Sequence, residues 1–240
     1  MLIFWRLFLS HLLADFTLQF DIVNTLKRRC VWGMAIHCLT HFVVSAALTY
    51  RYLGDVWFSF GVVKVNGWWA LVLMLVVHFI IDELRIYGMK HLHYRDGTVS
   101  FLVDQFLHIY LLFLISPIVD VGLFMAEKWT GLLTMSVLVT HVTTVTIYFV
   151  EKDFFGRQFP SFDEKYFLIF ERVVLWSFFF ASGWWCLPFA AAWVVQLFYI
   201  RMKRIIDLSL TNIVLSLVLT SAIGLWTRYI YFGSLFRQVN

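Results

Sequence analysis

A chain of 240 residues that is 61% hydrophobic, 20% aromatic and only 14% charged is more apolar than ordinary soluble domains, in which about half of the residues are apolar. This composition excludes a soluble globular fold and predicts that the bilayer is the solvent of the chain. The net charge of +4 comes from short basic clusters between apolar runs, which is typical of membrane topology rather than of nucleic-acid binding.

Hydropathy predicts an all-α transmembrane bundle with seven to eight spans, since each span needs roughly 20 apolar residues. The expected spans are residues 2–22, 34–52, 68–88, 99–117, 130–150, 165–182, 184–200 and 208–230. We assign 1–118 to a four-span bundle and 119–240 to further spans of the same membrane domain. The first apolar run lacks a basic leader and a small-residue cleavage motif, so we expect a retained helix rather than a cleaved signal peptide.

The basic residues predict the orientation of these spans. Eleven of the 19 Lys and Arg residues fall in alternate connections, at 23–33, 89–98, 151–165 and 201–204. The opposite connections hold only Arg51, Lys64, Lys128 and Arg237. The positive-inside rule makes the first set cytoplasmic, so both termini are expected on the outer side of an inner membrane.

Each of the first four predicted spans carries two polar side chains four residues apart, which places both on one helix face. The pairs are His11 and Asp15, His37 and His41, His78 and Asp82, and Asp104 and His108. The first and third spans read His before Asp, whereas the fourth runs in the opposite direction and reads Asp before His. With ~1.5 Å rise per residue, the imidazoles of these three spans share one depth and the carboxylates lie roughly 6 Å nearer the cytoplasm.

Free energy argues that these carboxylates have partners. One carboxylate in mid-span costs ~2.5–3.5 kcal/mol on insertion scales, so three unpaired ones would cost ~8–10 kcal/mol. Imidazole and carboxylate ligands suit Zn, Mn or Fe, and the amides of Gln19 and Gln105 are expected to orient them. We therefore predict a metal site built from all eight paired side chains, in which Asp15, Asp82 and Asp104 also serve as catalytic groups. Interhelical hydrogen bonds that merely hold the bundle together are the alternative.

Other ionisable residues receive simpler interpretations. Glu171 and Arg172, in the sixth predicted span, either contact an anionic headgroup or lock helices together. His141 lacks a polar partner one turn away apart from small hydroxyls, which favours packing or a local hydrogen bond. Glu83 and Arg85 are expected to form a snorkelling pair at the interface.

Four segments resemble a bacterial membrane family known as domain of unknown function 3307: HLLADFTLQF (11–20), HCLTH (37–41), HFIIDELRI (78–86) and FLVDQFLH (101–108). FERVV (170–174) and IRMKR (200–204) are similar to longer members, whereas IIDLSLTNIVLS (205–216) departs from their usual approach to the last span. The resemblance implies the fold and the position of the site but no activity.

Three functions remain open. The first is an intramembrane metal-dependent hydrolase acting on a lipid or lipid-linked phosphate, because a bound metal generates hydroxide near neutral pH. The second is a divalent-cation or proton transporter or channel that uses the same residues. The third is a non-catalytic membrane partner protein. The expected partners are membrane lipids and no nucleic acid, and a protein partner and the oligomeric state stay open.

Overall fold

A computed structural model describes residues 1–19, 21–117, 127–160, 162–181, 183–203 and 209–235. Among these residues the chain is all-α apart from one short β-hairpin, which confirms the predicted fold class. Arg204 and Arg237, two of the basic residues that predicted the orientation, lie outside the described residues.

The helices are α1 (Leu2–Leu12), α2 (Asp21–Arg29), α3 (Val31–Thr49), α4 (Gly67–His91), α5 (Thr98–Ile115), α6 (Lys128–Val137), α7 (Thr143–Phe155), α8 (Phe162–Ser177), α9 (Cys186–Met202) and α10 (Leu210–Phe232). A π-helical turn over Leu13–Thr17 continues α1, and another over Leu138–Val142 joins α6 to α7. Tyr50–Tyr52 and Phe178–Phe180 form 3₁₀ turns. Strands β1 (Val56–Phe60) and β2 (Val63–Asn66) pair antiparallel between α3 and α4.

Four helical segments of the described chain are long and apolar enough to cross a membrane. They are Val31–Tyr52, Thr98–Ile115, Lys128–Phe155 and Leu210–Phe232. Helix α9 is apolar but shorter. A membrane protein is thus supported by length and composition, and the full number of seven to eight spans stays a prediction.

The chain divides into two compact units, Met1–Thr130 and Gly131–Asn240. The sequence placed the boundary between residues 118 and 119, which lies within a segment outside the described residues. In the first unit α1 packs against α3, α3 against α4, α4 against α5, and α5 against α1. These four helices therefore form a closed ring whose inward faces share one core.

An apolar cluster fills one end of this ring. Its buried members are Ile3, Leu7, Leu53, Trp57, Ala70, Leu71, Met74, Leu111, Leu112 and Ile115. Beside it, Arg6 donates from Nε and Nη2 to the two carboxylate oxygens of Glu127, at 2.8 and 2.6 Å, and from Nη1 to the carbonyl of Leu48 at 2.7 Å. These hydrogen bonds hold the pKa of the Glu127 carboxyl below its ordinary value. The pair ties α1 to the residue that precedes α6.

Helix α2 occupies residues that the sequence assigned to a connecting loop. It is short and amphipathic, with Lys27, Arg28 and Arg29 in its last turn. Gly33 near the start of α3 permits the close approach of α2, since a Cβ atom there would lie 2.3 Å from the carbonyl carbon of Leu26. This contact brings the basic end of α2 back over the ring of helices.

The second unit is built around α7, α8 and α10, which pack on one another. Arg228, 1% exposed, donates to the carbonyls of Phe179, Ala181 and Gly183, at 3.0, 2.5 and 2.7 Å, and to that of Leu235 at 2.5 Å. These bonds satisfy backbone carbonyls of the 3₁₀ turn and of the non-helical residues after α8, together with one carbonyl after α10. Arg228 therefore stabilises the segment that follows α8.

We expect Gly33→Ala to lower the free energy of unfolding by roughly 1–3 kcal/mol, because a methyl group cannot fit against the backbone of Leu26 without moving α2. The measurement is thermal unfolding of the detergent-solubilised protein. Gly54→Ala is the matched control, since no atom lies within 4 Å of its added Cβ. Equal unfolding temperatures for the two variants would contradict this account of the α2–α3 contact.

Candidate metal centre

At the site, the first helix changes from α-helical to π-helical hydrogen bonding. After Leu12 the chain forms a π turn, and the amide of Leu18 donates to the carbonyl of Leu13 at 2.8 Å. Asp15 lies within this turn. Single π turns inside helices occur frequently at functional sites, where they redirect a side chain.

Three imidazoles surround the Asp15 carboxylate. The Nε2 atoms of His37 and His41 lie 3.2 and 3.0 Å from Asp15 Oδ1. His11 Nε2 lies 3.5 Å from Asp15 Oδ2. Side chains from α1, its π turn and α3 thus converge on one carboxylate.

Three imidazoles also lie near the Asp82 carboxylate. Its Oδ2 lies 3.3 Å from His37 Nε2 and 3.5 Å from His78 Nε2, and its Oδ1 lies 4.0 Å from His108 Nε2. His37 therefore contacts both carboxylates. All five imidazoles are at most 3% exposed and Asp82 is 5% exposed, so the cluster lies in a medium where unpaired polar groups are costly.

Two overlapping groups of these side chains can hold a metal ion. The first is Asp15, His37, His41 and His78, and the second is His78, Asp82 and His108; in each, the potential ligand atoms lie within 4.8 Å of one another. Tetrahedral ligands at ~2.0–2.2 Å from an ion stand roughly 3.3–3.6 Å apart. The spacing of 3.4 Å between His37 Nε2 and His78 Nε2 matches this requirement.

The hydrogen bonding of His108 helps to distinguish a set of metal ligands from a cluster held together only by hydrogen bonds. Its Nδ1 donates to the backbone carbonyl of Asp104 at 2.9 Å, which leaves the lone pair on Nε2. That Nε2 atom is buried and makes no hydrogen bond to a described residue, and the same holds for Asp82 Oδ2. Hydrogen bonding alone leaves His108 Nε2 unsatisfied at roughly 1–3 kcal/mol, whereas Asp82 Oδ2 has the ammonium group of Lys27 at 3.7 Å. A metal ion would accept an electron pair from both atoms, and metal-bound imidazoles commonly donate their other N–H to a carbonyl.

Other predicted site residues lie around the two groups. Gln105 approaches His11 Nε2 through Oε1 at 3.2 Å, and its Nε2 donates to Asp15 Oδ2 at 3.3 Å and Asp104 Oδ2 at 3.2 Å. Asp104 also accepts from Arg85 Nη1 at 3.0 Å. His11 and Asp104 belong to neither ligand group, and their roles as ligands stay predictions. Gln19 accepts from Lys27 Nζ at 3.3 Å.

Basic side chains at one edge of the cluster were missed by the sequence reasoning. Lys27 Nζ lies 3.7 Å from Asp82 Oδ2. Asp96 joins two arginines, accepting from Arg28 Nη1 and Arg85 Nη2 at 3.0 Å each. Arg85 thus pairs with Asp96 and Asp104 instead of the expected Glu83. The available signal was the basic run directly after the Asp15 segment, which the sequence reasoning assigned to topology alone.

Glu171, Arg172 and His141 belong to the second unit and take no part in this cluster. His141 Nδ1 lies 2.9 Å from Thr140 Oγ1, within hydrogen-bonding distance. This geometry agrees with the local hydrogen bond favoured for His141.

Fold and site together define a helical protein with apolar, membrane-length helices and a buried His/Asp cluster. A family model described as "Protein of unknown function (DUF3307)" matches residues 3–130, and the chain belongs to that family. The matched segment contains every residue of the two ligand groups. No curated protein and no solved structure matches the chain.

We expect Arg85→Gln to lower the free energy of unfolding by roughly 1–3 kcal/mol, because the buried Asp104 carboxylate loses its cationic partner. Thermal unfolding in detergent should show a drop of several degrees. Lys90→Gln, at an exposed position of the same helix, is the control and should unfold like the parent protein. An unchanged midpoint for Arg85→Gln would show that this ion pair contributes no net stability.

Proposed function

We propose that the chain is a multi-pass protein of the bacterial inner membrane and a metal-dependent hydrolase of lipid or lipid-linked phosphate esters. The membrane location is supported by the membrane-length apolar helices, by the uneven distribution of basic residues and by the apolar composition. Seven to eight spans with both termini outside is the arrangement that this distribution favours.

The proposed cofactor is Zn, Mn or Fe, because imidazole nitrogens and carboxylate oxygens are ligands that these ions accept. Asp15, His37, His41 and His78 would hold one ion, and Asp82 and His108 with the shared His78 would hold a second. Gln105 and Asp104 would orient the ligands through the hydrogen bonds they make to Asp15 and His108.

The observation that carries a hydrolase is the overlap of the two ligand groups beside a lysine. A pair of metal ions supplies a hydroxide nucleophile near neutral pH and polarises a phosphoryl oxygen. Lys27 Nζ, 3.7 Å from Asp82 Oδ2, places a point positive charge where an anionic phosphate would approach the cluster. Its side chain is 13% exposed, so it reaches the edge of the site. Arg28 and Arg85 lie on the same side, and both are paired with Asp96.

The surroundings of the cluster also support the proposal of a hydrolase. The ring of α1, α3, α4 and α5 keeps the ligands away from bulk water, which strengthens each electrostatic interaction inside it. Asp82 Oδ2 has no hydrogen bond to a described residue, although Lys27 Nζ lies 3.7 Å away, and this oxygen would form the ligand bond to the metal. Three imidazoles hold the Asp15 carboxylate in a fixed position.

A transporter for divalent cations or protons is the second candidate, and one observation favours it. His37 lies between the two carboxylates, at 3.2 Å from Asp15 and 3.3 Å from Asp82. This arrangement forms a continuous chain of acid–base groups through the buried cluster, a feature of relays in membrane pumps.

Metal content tests the centre itself. Protein purified in mild detergent after growth with Zn, Mn and Fe should carry stoichiometric metal by mass spectrometry. His108→Ala should lose the ion held with Asp82 and keep the other, because the first ligand group does not contain His108. His141→Ala, which changes an imidazole outside both groups, should retain the full content. Wild-type protein without stoichiometric metal would overturn the metal centre.

Activity separates the two candidates. With short-chain lipid phosphates, Lys27→Ala should raise KM by roughly tenfold with a smaller change in kcat, as expected for a lost charge-assisted contact to bound substrate. Arg29→Ala, at an exposed position of the same helix turn, is the control. Uptake of Zn²⁺ or Mn²⁺ into proteoliposomes without release of phosphate would instead support the transporter.

A further inference from the structure

The second unit contains a polar pocket at the end where α7 stops and α8 and α10 begin. Its volume is about 110 Å³, enough for a group several times the size of a water molecule. Arg172 and Arg157 line it together with Thr144, Glu151, Glu164 and Ser209. The pocket lies wholly within the second unit and shares no residue with the metal centre.

Arg172 is buried, at 2% exposure, although it lines this pocket. Its Nε donates to Ser216 Oγ at 2.9 Å, and its Nη1 donates to Thr144 Oγ1 at 2.6 Å and to the carbonyl of Thr140 at 3.2 Å. All of these acceptors are neutral. Within the described parts of the chain, Nη2 has no acceptor and the guanidinium has no carboxylate partner.

A buried guanidinium without a counter-ion is costly. Arginine stays protonated in proteins, and burying a single charge costs several kcal/mol unless an opposite charge compensates it. Glu171 does not compensate it, because the two side chains form no ion pair and Glu171 Oε2 has no hydrogen-bond partner among the described residues. The bonds to Ser216 and Thr144 do connect α8 to its neighbours. They explain the position of the guanidinium but leave its charge unpaired.

The nearest carboxylate on α7 is already engaged. Glu151 accepts a hydrogen bond from the Ser209 hydroxyl and another from Asn212 Nδ2 at 3.3 Å. Ser209 in turn caps α10 by accepting from the Asn212 amide at 2.8 Å. Glu151 therefore serves the start of α10 and is not drawn toward Arg172.

Two further features suit the pocket to a ligand. The π turn over Leu138–Val142 includes Thr140, whose carbonyl accepts from both Arg172 and Thr144 and so fixes the guanidinium. Arg157 is exposed at the rim and has no carboxylate partner in the described chain. The pocket thus offers one buried and one accessible cation.

We propose that this pocket binds a phosphate group, with Arg172 at its base and Arg157 at its rim. Phosphate supplies the negative charge that the Arg172 guanidinium lacks, and a guanidinium donates to phosphate oxygens in its preferred geometry. The group comes either from the headgroup of a phospholipid or from free phosphate, and both present the same chemistry to the arginines.

The test uses the full chain in detergent and two probes, inorganic phosphate and dioctanoyl phosphatidic acid, with uncharged dioctanoylglycerol as the control lipid. We expect one phosphate-bearing probe to bind per chain by calorimetry or native mass spectrometry. Arg157→Gln should weaken this binding by about tenfold or more, and Arg172→Lys should weaken it as well because lysine lacks the planar fork. Arg201→Gln, a basic residue outside the pocket, should leave the affinity unchanged.

The outcomes separate the sources and decide the proposal. Tight binding of inorganic phosphate supports free phosphate as the ligand, and binding of the lipid alone supports a headgroup. If neither probe binds, or if Arg157→Gln binds as tightly as the parent protein, the proposal is wrong. Arg157 is exposed, so this variant reports on binding even if Arg172→Lys does not fold.

Discussion

The closed ring of α1, α3, α4 and α5 is the constraint on which the first unit depends, because it places two carboxylates among five imidazoles away from water. Each of these polar groups would be costly on an isolated apolar helix, and each becomes acceptable only when its partners arrive from the other helices. His37 shows this dependence most clearly, since it lies within 3.3 Å of carboxylates from two different helices. The polar cluster and the packing of the ring therefore stabilise each other.

The cluster contains a buried atom that its mutual hydrogen bonds leave unused. Among the described residues His108 Nε2 makes no hydrogen bond, while the other nitrogen of His108 is fixed by a backbone carbonyl. The same edge carries Lys27, Arg28 and Arg85, which belong to a folded-back helix and to α4 and which pair with Asp82, Asp96 and Asp104. The proposed metal centre would use the unpaired nitrogen of His108 as a ligand.

The second unit also buries charged side chains, and there the charges are positive. Arg228 and Arg172 are both almost fully buried, but their surroundings differ. Arg228 donates to backbone carbonyls of the 3₁₀ turn and of the non-helical residues after α8, and these acceptors satisfy its guanidinium. Arg172 donates to hydroxyls and one carbonyl beside an open pocket. The fold accounts for the position of both guanidinium groups, and the proposed phosphate would supply the negative charge that Arg172 lacks.

Sequence alone determined the all-α fold class and the polar pairs of the regular helices, because the spacing of four residues places His78 with Asp82 or Asp104 with His108 on one helix face whatever the helix packs against. It could not decide which nitrogen meets which oxygen. That Asp104 pairs with Arg85, that α2 is a helix carrying Lys27 to Asp82, and that His108 keeps a free Nε2 all depend on contacts between segments far apart in the chain. Periodicity is a local property of a helix, whereas ligand geometry and the neutralisation of a buried charge such as Arg172 exist only after the helices have packed.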